Sequence, residues 1–200
     1  MIVYVVGTGT DVGKTHVAAA LARISKMPAW KPVVSGGLED VERLGAKPPL
    51  AALKDPISPH LAARREGVTL SAKAIVDATS ADWMIVESAG GLYSPLSDDE
   101  TNADVALLYG ERALVVLVAP DRLGVLHDVG ACVRAAEADG ITFAAIALSA
   151  PAQADASTGT NAAEIERLGL ADAVVTFPRA RVDDDVTKKA AAELYALIRH

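Results

Sequence analysis

Gly7-Thr8-Gly9-Thr10-Asp11-Val12-Gly13-Lys14-Thr15 follows the β-branched run Ile2 to Val6 and leads straight into an Ala-rich, helix-period segment from Thr15 to Lys26. A buried strand, a glycine-rich turn and a helix start present backbone N–H groups and the positive end of a helix dipole to phosphate oxygens. In that geometry Lys14 is a point charge for the β and γ phosphates of ATP, and the Thr15 hydroxyl is a ligand for the accompanying Mg2+. Gly9, Thr10, Asp11, Val12, Gly13 and His16 complete the expected nucleotide-binding stretch. The strict phosphate-loop pattern has glycine five places before Gly13, where Thr8 stands here with glycines at 7 and 9 instead, so the loop is a variant. A dinucleotide-binding turn fits less well, because no third glycine falls at the G-x-G-x-x-G spacing.

Outward from this loop, short apolar runs alternate with helix-period segments. Met84 to Val86 is followed by Leu114 to Ala119 with Val125 to Ala138, then Thr142 to Leu148 with Asn161 to Leu168. Ala173 to Phe177 predicts a late strand and Val186 to Ile198 a closing helix. Strands that read as nearly continuous apolar runs are covered on both faces, and parallel strands need crossover helices. The expected fold is therefore α/β: one domain over residues 1–200, a three-layer, mostly parallel sheet with helices on both faces, of the P-loop NTPase type. The Gly-, Pro- and charge-rich stretch Ser35 to Ser58 reads as an irregular excursion over the carboxyl edge of the sheet, and Gln153 to Thr160 as a polar loop.

The 200 residues carry a formal charge of −7, with a single cysteine, Cys132. An acidic chain argues against a nucleic-acid or membrane-surface partner, since both demand clustered cations. Any phosphate must be bound by local geometry. A lone cysteine in a helical apolar stretch suits core packing in a reducing, cytoplasmic compartment. The N-terminal run lacks the features of a signal peptide, and the apolar runs of about eight residues are far short of the roughly twenty that span a bilayer.

Two further segments carry chemistry. Trp30-Lys31-Pro32-Val33-Val34-Ser35-Gly36 reads as a second strand ending in a turn, with Lys31 inside it. By itself a strand lysine is a solvated side chain; a strand that leads to the carboxyl edge of the sheet brings Lys31 and Ser35 to the phosphate loop. Asp82 to Val86 reads as a third strand, ending in Glu87-Ser88-Ala89-Gly90-Gly91. A carboxylate at such an end can hold magnesium, and the glycines let backbone approach a ligand; the plainer reading of Glu87 is an acidic residue entering an exposed turn.

Together these pieces resemble the dethiobiotin synthetase family: the variant loop at Gly7 to Thr15, the Lys-Pro-Val-x-Ser-Gly strand at Lys31 to Gly36, and the Val-Glu-x-Ala-Gly-Gly segment at Val86 to Gly91. Further echoes are Ser58-Pro59-His60, Pro95-Leu96-Ser97-Asp98, Asn102-Ala103-Asp104 and Leu123-Gly124. The resemblance implies a homodimer that converts 7,8-diaminononanoate, CO2 and MgATP into dethiobiotin, ADP and phosphate. It implies that Lys14 and Lys31 flank the carbamate and the transferred phosphoryl group, that Thr10 and Ser35 supply hydroxyl contacts, and that Thr15, Glu87 and Asp40 hold magnesium, with Asp55 a competing candidate for the last place. Asp11 and Gly90 would also contact substrate, and Gly124, Val125, Leu126 and His127 would receive its carboxylate at a helix start, from the other subunit. Ser149 and Pro178 would flank the base.

Two departures stand out. His127 occupies a place where the family commonly has asparagine, beside an anionic Asp128; Ser149 stands where the family often has an adenine-reading asparagine. Three other readings are an amidoligase-like relative, a partition-type ATPase and a homologue that binds nucleotide without turnover. The partition-type reading lacks its signature lysine early in the loop, where Thr8 and Gly9 stand.

Overall fold

The structure, a computed structural model, describes residues 1–79 and 81–199. Its frame is a six-stranded sheet in the order β2-β5-β1-β6-β7-β8, formed by β1 (Ile2–Gly7), β2 (Ala29–Trp30), β5 (Met84–Gly91), β6 (Ala113–Pro120), β7 (Phe143–Ser149) and β8 (Val174–Phe177). All its strand pairings are parallel.

The period of two along β1 divides the core. Ile2, Tyr4 and Val6 face one layer, with Ile75 of α4 (Ala72–Asp77), Val105 of α5 (Asn102–Tyr109), Val129 of α6 (Val125–Ala138) and Ile165 of α7 (Asn161–Arg167). Val3 and Val5 face the other, with Val17 and Leu21 of α1 (Lys14–Ser25) and Ala191 and Leu194 of α8 (Asp185–Leu197). Because both faces are covered, all six residues of β1 are buried, which is why the strand reads as an unbroken apolar run. The three-layer parallel architecture expected from the sequence is present.

The winding order decides where a ligand goes. From β1 the chain crosses to β2, returns to β5 beside β1, and then continues on the other side through β6, β7 and β8. The strand order thus reverses at β1, and loops on either side of its carboxyl end part to leave a crevice. The Gly7 to Thr15 loop lies at that point.

Two expectations need correction. Lys31 is not inside a strand: Pro32 has no N–H to give the ladder, so pairing stops at Trp30 and resumes at β3 (Val33–Ser35) in a separate sheet. The Pro32 carbonyl instead accepts from the Leu50 and Ala51 amides at 2.8 and 3.1 Å. The stretch from Ser35 to Ser58 is not wholly irregular either. It holds α2 (Glu39–Leu44) and β4 (Ala51–Leu53), and β4 pairs in parallel with β3. A six-residue helix and a three-residue strand are too short to show a period, and Pro48, Pro49 and Pro56 mask them. The short helix α3 (Pro59–Glu66), α4 and α5 also lack a visible period, and β5 runs on to Gly91 rather than ending before Glu87.

One buried side chain fixes that extension of β5. Asn102, 3% exposed, follows Thr101, whose side chain forms a capping box with Asp104 at the start of α5. Its Nδ2 donates to the carbonyls of Ala89 and Gly91, both at 2.8 Å, and its own carbonyl accepts from Tyr4 Oη at 3.3 Å. Truncation would leave two carbonyls unanswered. Asn102→Ala is therefore expected to lower the unfolding free energy by about 2–4 kcal/mol, at roughly 1–2 for each lost partner, measured by urea denaturation; a loss below about 0.5 kcal/mol would show that water replaces the amide.

Candidate active site

The phosphate loop bends back on itself before the helix begins. Gly13 is the N-cap residue of α1 at φ 101°, and Asp11 also has a positive φ of 57°. A Cβ on Gly13 would lie 2.7 Å from the Ser149 Cβ, so glycine is required there by space as well as by conformation. Lys14 is 6% exposed and its Nζ donates to the Gly9 carbonyl at 2.8 Å, so the ammonium arches over the loop it belongs to. Burial pulls the Lys14 pKa down to about 8, against the opposing pull of Glu87.

Beside the loop lies a charge cluster drawn from four segments. Glu87, in the middle of β5, is fully buried; its Oε1 accepts from the Thr15 hydroxyl at 2.8 Å and from Lys31 Nζ at 2.9 Å. Lys31 Nζ also donates to Asp40 Oδ2, bringing α2 over the site. Burial works to lower the Lys31 pKa, but the Glu87 and Asp40 carboxylates outweigh it and hold the ammonium above its ordinary value. Burial likewise works to raise Asp40, yet Lys31 and a hydrogen bond from Thr15 keep that carboxyl below the usual range. Burial pushes Glu87 up despite Lys31 and Thr15. The plainer reading of Glu87, an acid in an exposed turn, is excluded by its burial.

These residues suit a magnesium ion. The set offers two carboxylates and a hydroxyl, all hard oxygen donors, and phosphate oxygens of a bound nucleotide complete such shells in this class of site. Glu87 Oε2 is buried with no hydrogen-bond partner, which leaves an acceptor available to a ligand. Asp55, the competing candidate, is instead in an exposed ion pair with Arg65 at 2.8 Å. Asp40 is the acid that the structure brings to Thr15 and Lys31.

The remaining candidates separate into near and distant groups. Gly90, at φ 82°, lies next to Thr10: a Cβ there would stand 3.9 Å from Thr10 Oγ1. Gly91, expected to admit a ligand, lines the cavity beside the loop, and a Cβ on it would also meet the Gly7 carbonyl oxygen at 3.0 Å and the Gly9 nitrogen at 3.2 Å, so its bareness serves the packing of β5 against the loop as well. Ser35 ends β3, half-buried, and Val12 is core. His16 stands edge-on to Phe177 at 6.3 Å between ring centres; burial lowers its pKa, offset by a hydrogen bond to the Pro178 backbone. His16, Ser149 and Pro178 thus gather at the outer side of the loop, at the carboxyl ends of β7 and β8.

The helix start at Gly124 to His127 differs from expectation in its donors. The side chain of Val125 is wholly buried, and its amide already donates to the Arg122 carbonyl at 3.1 Å. The amides of His127 and Asp128 both go to the Gly124 carbonyl, at 3.0 and 3.2 Å. Asp128 pairs with Arg122 at 3.4 Å, which offsets the negative charge. His127 lines a cavity of about 500 Å³ that also takes in Gly7, Thr8, Gly91 to Pro95, Asp128, Ala131 and Cys132. His127 with Ala131, and Asp128 with Cys132, are i and i+4 pairs on one face of α6, a spacing from which this wall was readable in the sequence. The segment from Leu92 to Pro95 carried no comparable pattern.

Comparisons with known proteins accord with this geometry. Residues 2–182 match the family described as AAA domain. The chain is 36% identical to the ATP-dependent dethiobiotin synthetase BioD of Anaeromyxobacter dehalogenans strain 2CP-C, over 94% of this chain and 93% of that one. It is 39% identical to the same-named protein of Ralstonia nicotianae, over 70% and 72%. Among solved structures, a Borrelia burgdorferi B31 protein assigned to plasmid partition, with AMPPNP bound, superposes with a TM-score of 0.58 over 99% of this chain and 97% of that one; at 12% identity it speaks to the fold alone. With identity of this extent over nearly the whole of both chains, and a lysine-bearing P-loop site to match, the chain belongs to the ATP-dependent dethiobiotin synthetase family.

Proposed function

We propose that this chain is a ligase that closes the ureido ring of dethiobiotin from 7,8-diaminononanoate, CO2 and ATP. The observation that carries this reading is the second buried lysine. Lys31 comes from outside the loop to the same carboxylate, Glu87, that Thr15 contacts. A second cation of this kind stabilises an anionic carbamate as it approaches an anionic γ phosphate.

In the proposed reaction one substrate amine adds to CO2 and loses a proton, giving a carbamate. A carbamate oxygen attacks the γ phosphorus, ADP departs, and a carbamic-phosphoric anhydride remains. The neighbouring amine attacks the carbonyl carbon, phosphate leaves, and the last proton passes to solvent or phosphate. Lys14 and Lys31 flank the carbamate and γ phosphoryl group, while Thr10 and Ser35 offer hydroxyl contacts. Asp11 and Gly90 border the diamine, and in the proposed homodimer the Gly124 to His127 segment of the other subunit lies at its carboxylate. Magnesium held by Thr15, Glu87 and Asp40 would neutralise charge on the phosphates. The protein thereby contributes positioning and charge stabilisation. The same proposal includes a cytoplasmic homodimer acting without nucleic acid or membrane; among the described residues no helix is long and apolar enough to cross a bilayer.

Incubating the purified protein with the diamine, bicarbonate and MgATP is expected to yield dethiobiotin by mass spectrometry, with one ADP for each ring closed. ADP formation without the ring product would favour an amidoligase-like relative, and no turnover a nucleotide-binding homologue.

The depressed Lys14 pKa gives a pH signature. Near pH 8 about half of the Lys14 side chains are neutral, and phosphate oxygens favour the ammonium, so ADP binding should take up about half a proton there. Uptake should shrink toward pH 7, where the lysine is already charged, and grow toward pH 9. Calorimetry in buffers of different ionisation enthalpy measures it, and uptake equal in wild type and Lys14→Ala would remove Lys14 as its source.

Base selectivity follows from Ser149. Its side chain packs on Gly13, and a hydroxyl cannot impose the paired donor and acceptor geometry of an amide. A lost polar recognition pair is worth roughly ten- to a hundredfold in discrimination. CTP or GTP is therefore expected to support initial rates within about tenfold of ATP at matched magnesium. An ATP preference above about a hundredfold would place base reading on other residues.

A further inference from the structure

We infer that Lys31 and the magnesium ion are alternative occupants of one carboxylate pair, so that metal loading is what hands Lys31 to the carbamate. The inference rests on the reading of Glu87 and Asp40 as metal ligands. It starts from a single juxtaposition: one ammonium bridges Asp40 and Glu87, and Glu87 Oε1 simultaneously accepts from Thr15, the third proposed ligand. Lys31 thus holds both carboxylates, and Thr15 contacts one of them directly.

Charge decides what can coexist there. Two carboxylates and one ammonium sum to −1, a balance that a mostly buried cluster tolerates. Without nucleotide phosphates, adding a divalent cation while Lys31 stayed in place would set three positive charges against two negative ones within a few ångströms. The buried Glu87 Oε2, which has no hydrogen-bond partner, offers a ligand position that Lys31 does not use. As the ion settles on Glu87 and Asp40, its charge weakens both ion pairs of Lys31 together. A lysine only 7% exposed has few other partners, and the anionic carbamate beside the γ phosphate is one of the right charge. Lys31 therefore becomes available to substrate once the metal is in place, which ties its contact with the carbamate to metal loading.

The test measures metal binding without turnover. Mn2+ replaces Mg2+, because the free aqua ion can be counted by electron paramagnetic resonance, and the full-length protein is titrated in the absence of nucleotide. Lys31→Met removes the competing cation and is expected to tighten Mn2+ binding at least tenfold over wild type. The gain should vanish in the Lys31→Met, Glu87→Gln double variant. Equal affinity in wild type and Lys31→Met, with Glu87→Gln weakening both, would keep the ligands and overturn the competition. Indifference of Mn2+ to Glu87→Gln in either background would overturn the ligand assignment itself. Should Lys31→Met fail to fold, wild-type protein still decides the matter through reductive methylation read by peptide mass. Lys31 is expected to label several-fold faster with MgADP than with ADP and chelator, and equal labelling overturns the inference.

Discussion

A carboxylate with no exposure, Glu87, sits in a strand of the central sheet, and much of the site is arranged to answer it. A charge removed from water needs partners close at hand, because the interior supplies no solvent to do that work. The partners come from separate places: Thr15 from the first turn of α1, and Lys31 from the step between two sheets. Asp40 then joins through Lys31 from the short helix α2. One buried acid thereby draws three distant segments to the end of the phosphate loop. The step at Pro32, which interrupts the ladder, is what lets Lys31 leave the plane of the sheet and turn toward that acid.

Contact of bare backbone holds the acid in register with the loop. Gly91 ends β5 so close to Gly7 and Gly9 that a methyl group would stand at the edge of what packing tolerates. Asn102 anchors the carbonyls on either side of Gly90. On the opposite side of the loop, Ser149 presses on Gly13. The loop is held between β5 and β7, both parallel members of the same sheet, so the geometry of the phosphate site is inherited from the sheet and not from the loop alone.

The legibility of this arrangement in sequence followed the length of each element. β1, β6 and β7, α1, α6 and α8 carry long apolar runs or full helical periods, and they lie within a residue or two of where the pattern puts them. The loop was readable because Gly-Lys-Thr has a fixed backbone task. Lys31 and Glu87 were visible as members of short motifs, but the contact between them was not, since it joins residues 56 positions apart across a break in the strand. The segment from Ser35 to Ser58 was opaque because its elements are shorter than the period that would reveal them. Val125 illustrates a different limit: its type fitted a helix start, and only the packing shows that its side chain belongs to the core and its amide to Arg122.

Both lysines of the site are already engaged with the protein, Lys14 with the Gly9 carbonyl and Lys31 with two carboxylates. Ligand binding is then an exchange of partners and not the simple addition of charge to charge, so affinity reflects a difference between two sets of contacts. The two exchanges are not alike. Lys14 surrenders one neutral acceptor, and burial has already lowered its pKa, so phosphate oxygens restore a charge that the fold disfavours. Lys31 surrenders full ion pairs, and nothing short of another cation for Glu87 and Asp40 compensates their loss. On the proposed reading, an ammonium of the first kind responds to the nucleotide alone, while one of the second kind responds to the metal. Two lysines a few side chains apart in one crevice are therefore set to different thresholds by their acceptors: a peptide carbonyl for one, a pair of carboxylates for the other.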